Sequence, residues 1–72
     1  MKILTQDRTQ IMEMRSYVFS TPENNTGKFG IRMVSHASPI GLYDTEERVK
    51  EIMKELFQYF SDGKKAYVMP EK

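Results

Sequence analysis

The chain has no cysteine and a single histidine among its 72 residues. The absence of cysteine excludes a disulfide framework, a thiolate metal site and a thiol nucleophile. A lone histidine cannot supply a site built from several imidazole ligands. The longest apolar runs are only a few residues, whereas a transmembrane helix needs roughly 20. We therefore expect no membrane-spanning segment, no metal and no cofactor.

The sequence also lacks an excess of charge of one sign. Eleven basic residues face ten acidic ones, which leaves a net charge of +1. Proteins that bind nucleic acids usually carry a clear basic excess or patch, so this balance argues against them. The first residues contain no apolar stretch of signal-peptide length, and we expect a cytoplasmic protein.

The length predicts one domain spanning residues 1–72. A chain this short buries only about 60 % of its unfolded surface when it folds. The resulting core is small, and we expect an isolated monomer to be marginally stable.

The clearest element is an α-helix predicted over about residues 45–61. Asp44 and Thr45 are both competent N-caps, and Gly63 can provide the C-terminal stop. Six apolar residues recur at the spacing of one helical stripe: Val49, Ile52, Met53, Leu56, Phe57 and Phe60.

The rest of the chain predicts short strands. Alternating apolar and polar residues and flanking turn residues indicate them, at about 2–5, 11–19, 28–36, 39–43 and 65–69. The element order is then β-β-β-β-α-β. We predict an α+β fold in which an antiparallel meander of about four strands carries the helix on one face and a short final strand follows.

The predicted strand 11–19 has apolar side chains on both faces. The two faces carry Met12, Met14 and Val18, and Ile11, Tyr17 and Phe19. The pattern leaves open which face meets the core. Because one helix covers one face of a sheet, the other face stays partly apolar and favours a partner. A symmetric homodimer is the commonest solution.

The aromatic residues point to the same conclusion, because so small a core cannot hold them all. Tyrosine is enriched at interfaces, where its ring is buried and its hydroxyl stays hydrated. We therefore predict a protein-interaction surface that includes Ile11, Tyr17, Phe19, Tyr59 and Tyr67. The six methionines fit either an irregular core or an adaptable partner surface.

Two other functions stay open. Aromatic side chains near basic ones can stack single-stranded bases, and the nucleic-acid alternative would use Arg8, Arg15, Lys28, Arg32, Lys64 and Lys65. The second alternative is a small enzyme that uses His36, which lies between Ser35 and Ser38. Neighbours on a strand point to opposite faces, so Ser35 and His36 are badly placed to share a proton.

Three short motifs lie at the ends of the chain and at the strand–helix junction. They are a Thr-Gln-Asp turn at 5–7, the pattern Gly-x-Tyr-x-Thr-Glu-Glu-Arg at 41–48, and a closing strand at 66–70 that ends in Met-Pro. Together they resemble a group of small uncharacterised proteins of Gram-positive bacteria and their phages. The resemblance implies a bacterial or prophage setting and the same element order, but no activity. The sequence as a whole predicts a non-enzymatic protein-interaction or accessory module.

Overall fold

The computed structural model describes residues 1–14 and 17–72. Within these ranges it contains six strands and one helix, which confirms the predicted α+β class. The elements are β1 (Lys2–Leu4), β2 (Ile11–Glu13), β3 (Val18–Pro22), β4 (Phe29–Met33), β5 (Gly41–Tyr43), α1 (Glu46–Ser61) and β6 (Ala66–Val68).

The strands form two three-stranded sheets, whereas the sequence suggests one meander. The first sheet has the order β2-β1-β6 and the second has the order β3-β4-β5. All pairs are antiparallel except β1 with β6, which is parallel. A parallel pair needs a long crossover connection, and β6 reaches β1 only after the chain has passed through the second sheet and α1.

The predicted strand 11–19 is divided between the two sheets. Met12 in β2 lies opposite Ile3, whereas Val18 in β3 lies opposite Met33. Each part therefore brings apolar side chains to a different partner strand. Residues 15 and 16 of the predicted strand lie outside the described residues. Strand β3 extends beyond the predicted range to Pro22, and Glu23 N donates to Lys28 O at 2.9 Å in the loop that follows.

Helix α1 begins and ends where its capping residues predict. The Thr45 hydroxyl accepts a hydrogen bond from Arg48 N at 3.1 Å, and Glu46 and Glu47 lie in the positive first turn. After Asp62, Gly63 adopts φ +72°, the left-handed conformation that ends many helices. In the part of the chain that the structure describes, no helix combines the length and apolar character needed to cross a bilayer.

The core lies between α1 and the two sheets. All six methionines are buried in it or pack against it, as the core interpretation predicts. Strands β2 and β3 contribute only partly buried side chains. The buried apolar residues among those described are Ile3, Ile31, Met33, Ile40, Tyr43, Val49, Ile52, Leu56, Tyr67 and Met69.

Candidate interaction surface

An open apolar groove of about 180 Å³ lies between α1 and the beginning of β3. Its walls are aromatic and its remaining lining is aliphatic or methionine, with almost no polar surface. We call it the aromatic groove. Its residues are Met14, Tyr17, Val18, Met53, Leu56, Phe57 and Phe60.

The groove exists because the apolar stripe of α1 is wider than the core it covers. Ile52 and Leu56 point into the core and are buried. Phe57 lies at the edge of the stripe, one residue beyond Leu56, and is 69 % exposed. Phe60 lies in the last turn and is 59 % exposed. Helical spacing alone places both phenylalanines with the core residues, so the sequence analysis did not identify them as surface residues.

Tyr17 connects the groove to the outer face of the second sheet. Its carbonyl accepts a hydrogen bond from Val34 N at 3.2 Å, so these two residues lie opposite each other on one face. The Tyr17 ring lies 5.9 Å from the Phe19 ring. Tyr17, Phe19 and Val34 are exposed by 71 %, 36 % and 50 % respectively. The exposed apolar surface therefore continues from α1 across the sheet.

The two faces of the predicted strand 11–19 are now assigned. Met12, Met14 and Val18 pack against the core, while Ile11, Tyr17 and Phe19 are exposed. The far side of the second sheet is thus partly apolar, as the sequence predicts.

The charged groups beside this surface neutralise each other. Arg32, which lies opposite Phe19 on the sheet, donates to both carboxylate oxygens of Glu23, at 2.6 and 2.9 Å. Hydrogen bonding from Arg32 lowers the pKa of Glu23 and correspondingly raises that of Arg32. The Glu23 carboxylate lies over Gly30. A Cβ atom added to Gly30 would be only 2.5 Å from Glu23 Oε2. A compact ion pair therefore borders the apolar surface.

Of the five residues predicted for the interface, one is buried and one is half-buried. Tyr67 is only 2 % exposed, and its hydroxyl donates to Glu55 Oε1 at 2.7 Å. Burial raises the pKa of Tyr67. Tyr59 is half-buried and packs edge-on against Tyr67, with ring centroids 5.0 Å apart. The prediction that Tyr67 offers surface to a partner is therefore wrong, because the ring closes the core between α1 and β6. Ile11 is exposed on β2, in the other sheet.

The basic residues of the nucleic-acid alternative are largely engaged within the molecule. Lys28 Nζ lies 2.9 Å from Asp44 Oδ1, and Arg32 is held by Glu23. Arg8 donates to the carbonyl of Met69 at 2.7 Å. Lys64 and Lys65 are exposed, and Arg15 lies outside the described residues. These contacts add no support for nucleic-acid binding, which stays a prediction.

His36 lies at a small pocket of about 110 Å³ that Asp7 and Ser38 also line. Asp7 Oδ1 already accepts hydrogen bonds from the Thr9 and Thr5 hydroxyls, at 2.7 and 2.8 Å. Hydrogen bonds from Thr9 are the main cause that lowers the pKa of Asp7. The carboxylate thus organises the loop after β1. Among the described residues, no group of three or more acidic or histidine side chains could hold a metal ion.

A cavity of about 630 Å³ lies at the beginning of α1. Its polar side chains are paired with groups of the protein itself. Lys28 contacts Asp44, and Arg48 Nε donates to the Lys72 carbonyl at 2.9 Å. The Tyr43 hydroxyl donates to Pro70 O at 2.7 Å, and burial raises the pKa of Tyr43 to about 12. This cavity is therefore bounded by contacts that hold residues 69–72 in place.

Comparison with protein-family models, curated proteins and solved structures found no match for this chain. The resemblance to small proteins of Gram-positive bacteria and their phages stays a prediction from the three motifs. The function must therefore be argued from the aromatic groove and its surroundings.

Proposed function

We propose that this protein is a small non-enzymatic protein-interaction module whose contact surface is the aromatic groove together with Phe19 and Val34. One observation carries the proposal. Of the eight aromatic residues, all in the described part of the chain, four are exposed and contiguous: Tyr17, Phe19, Phe57 and Phe60.

The size of this surface supports a binding role. With about 200 Å² for a fully exposed aromatic residue, the four exposed fractions correspond to on the order of 470 Å². The largest apolar patch on a typical monomer covers about 300–600 Å² and is often functional. Covering 470 Å² at ~25 cal/mol/Å² contributes about 12 kcal/mol before the costs of association.

The chemistry of the groove fits a protein partner better than a nucleic acid. Its floor is formed by Leu56 and Met53, and its walls by phenylalanine and tyrosine. Such a lining accepts apolar side chains, and methionine adapts its shape to them. Arg32, the basic residue opposite Phe19, is already paired with Glu23 and does not offer a free charge to a phosphate.

The proposal includes a cytoplasmic, bacterial or prophage setting for this module, and the three sequence motifs support it. The genes that surround its own would test this part independently. A neighbourhood of phage structural or regulatory genes is expected, and a housekeeping operon would contradict the prophage assignment.

Site-specific photocrosslinking in the host cell tests the interaction surface. A benzophenone amino acid at Phe57 should form protein adducts on irradiation, because the side chain lies in the groove. The matched control places the same group at Gln58, which is exposed on the same turn of α1 and should give few adducts. Equal yields at the two positions, or no protein adduct at Phe57, would contradict the proposed function.

A further inference from the structure

We infer that the partner seated in the aromatic groove is a second copy of this chain, so that the protein is a two-fold symmetric homodimer. The inference rests on the proposed function, since it names the occupant of the same surface. It adds a geometry, in which the two α1 helices pack antiparallel with Phe57 close to the two-fold axis.

The groove and its rim are complementary to each other. An engineered cavity of about 150 Å³ binds benzene, so a groove of about 180 Å³ has room for one phenyl ring. Phe57 and Phe60 form its walls, and their side chains are 69 % and 59 % exposed to solvent. Each copy therefore presents both a space for an aromatic ring and a ring to fill it. A two-fold interface requires this self-complementarity, because the same patch must serve on both sides.

The exposed area agrees with what a small dimer needs. The four aromatic residues expose on the order of 470 Å², and the half-exposed Val34 extends the patch to on the order of 500 Å². Two such patches bury on the order of 1,000 Å² in total, the smallest area expected of a biological interface. A different protein would need a matching apolar surface of its own, whereas a second copy already carries one.

The charges along α1 favour the antiparallel arrangement. Lys50 and Lys54 lie on the Phe57 side of the helix, within the two turns that precede it. The last turn of α1, which is fully described, contains no basic residue and is followed by Asp62, although Lys64 and Lys65 lie in the exposed turn beyond it. Antiparallel packing about Phe57 places Lys54 beside the negative end of the partner's helix dipole, which basic side chains stabilise.

Sedimentation equilibrium between about 1 and 500 μM tests the inference. We expect a mass of twice 8.5 kDa at the upper concentrations. Phe57→Lys should raise the dimer dissociation constant by about 30-fold or more, the effect of losing a central interface residue. The matched control, Gln58→Lys, places the same charge on the same helical turn and should leave the dimer unchanged. Circular dichroism should show that both variants keep the fold, because both positions are exposed.

A disulfide test addresses the symmetry directly. The chain has no cysteine, so Phe57→Cys introduces a single thiol. Loss of the Phe57 ring weakens this variant's dimer, so mild oxidation is carried out above the dissociation constant of the variant itself, where it should link two copies through this position, because residues near a two-fold axis meet their own counterparts. Gln58→Cys, on the outer side of the helix, should link much more slowly.

The possible results separate the inference from the proposed function. A wild-type mass of 8.5 kDa at all concentrations, or a dimer that Phe57→Lys leaves intact, overturns the inference. If photocrosslinking at Phe57 then still captures a different protein, the proposed interaction surface stands with another occupant. If Phe57 captures no protein at all, both are rejected.

Discussion

The side-chain amide of Gln6 binds the main chain of Leu42 at two points. Leu42 N donates to Gln6 Oε1 at 2.6 Å, and Gln6 Nε2 donates to Leu42 O at 2.8 Å. The same Nε2 donates to Glu71 O, also at 2.8 Å. The amide thus occupies the place that a neighbouring strand residue would take beside β5. It ties the loop after β1, in the first sheet, to the edge of the second sheet.

Replacing Gln6 should therefore loosen the junction between the two sheets. Gln6→Ala removes three hydrogen bonds and leaves partly buried main-chain groups of Leu42 without this partner. We expect a loss of about 1–3 kcal/mol in the free energy of unfolding, measured by urea denaturation. Gln10→Ala removes an exposed amide four residues away and should change stability by less than about 0.5 kcal/mol. Equal effects of the two variants would contradict the role assigned to Gln6.

The segment 69–72 is held by side chains from several elements, although it is not part of a strand. Four successive carbonyls accept hydrogen bonds from four different side chains: Met69 from Arg8, Pro70 from Tyr43, Glu71 from Gln6 and Lys72 from Arg48. The main chain of this segment is therefore bound much as an extended peptide would be.

Removing one hydroxyl tests the contribution of these contacts. Tyr43→Phe keeps the buried ring but deprives the Pro70 carbonyl of its donor. We expect a loss of about 0.5–1.5 kcal/mol in the free energy of unfolding, and faster hydrogen exchange at Met69, whose amide donates to Leu4 O. Tyr17→Phe removes a hydroxyl from an exposed ring and should leave both measurements unchanged. A stable Tyr43→Phe variant with unaltered exchange would show that the hydroxyl does not hold the segment.

The ion pair of Glu23 and Arg32 predicts a specific dependence on pH. Because Arg32 lowers the folded-state pKa of Glu23 below its ordinary value of 4.5, the pair stabilises the fold at pH values above about 4.5. That contribution is lost as the pH falls through the lowered folded-state pKa. Arg32→Gln should return the pKa of Glu23 toward 4.5, which a carboxylate titration followed by NMR measures.

The same titration contains its own control. The pKa of Asp44 is lowered chiefly by a hydrogen bond from Lys28, so Arg32→Gln should leave it unchanged. A Glu23 pKa that stays low in the variant would mean that another group, and not Arg32, stabilises the carboxylate.

Dimer formation would make thermal stability depend on protein concentration. A ligand that binds only the folded state stabilises it by mass action, and here the ligand is the second copy. We expect the unfolding midpoint of the wild type to rise by up to about 5 °C for each tenfold increase in concentration. The midpoint of Phe57→Lys should be nearly independent of concentration. Sedimentation shows the concentration range over which the dimer forms. If the wild-type unfolding midpoint stays constant across that range, unfolding is not coupled to dissociation and this prediction is wrong.

Local periodicity in the sequence was sufficient to locate most elements. The predicted helix 45–61 agrees with α1 to within one residue, because apolar spacing and capping residues act over a few neighbouring positions. The strands β1, β4, β5 and β6 lie inside the predicted ranges 2–5, 28–36, 39–43 and 65–69 for the same reason. Strand alternation also places Tyr17 and Phe19 on one face, but it does not decide whether that face is exposed.

Only the tertiary structure decided which strands pair and which apolar side chains stay outside. Residues 11–19 divide between two sheets because Met12 pairs with the preceding strand at Ile3, whereas Val18 pairs with the following strand at Met33. The sequence pattern allows either a core or a surface position for both Phe57 and Tyr67. In the structure Phe57 is exposed and Tyr67 is buried. The physical reason is that periodicity follows from backbone geometry, whereas burial depends on how much surface distant elements bring to the same place.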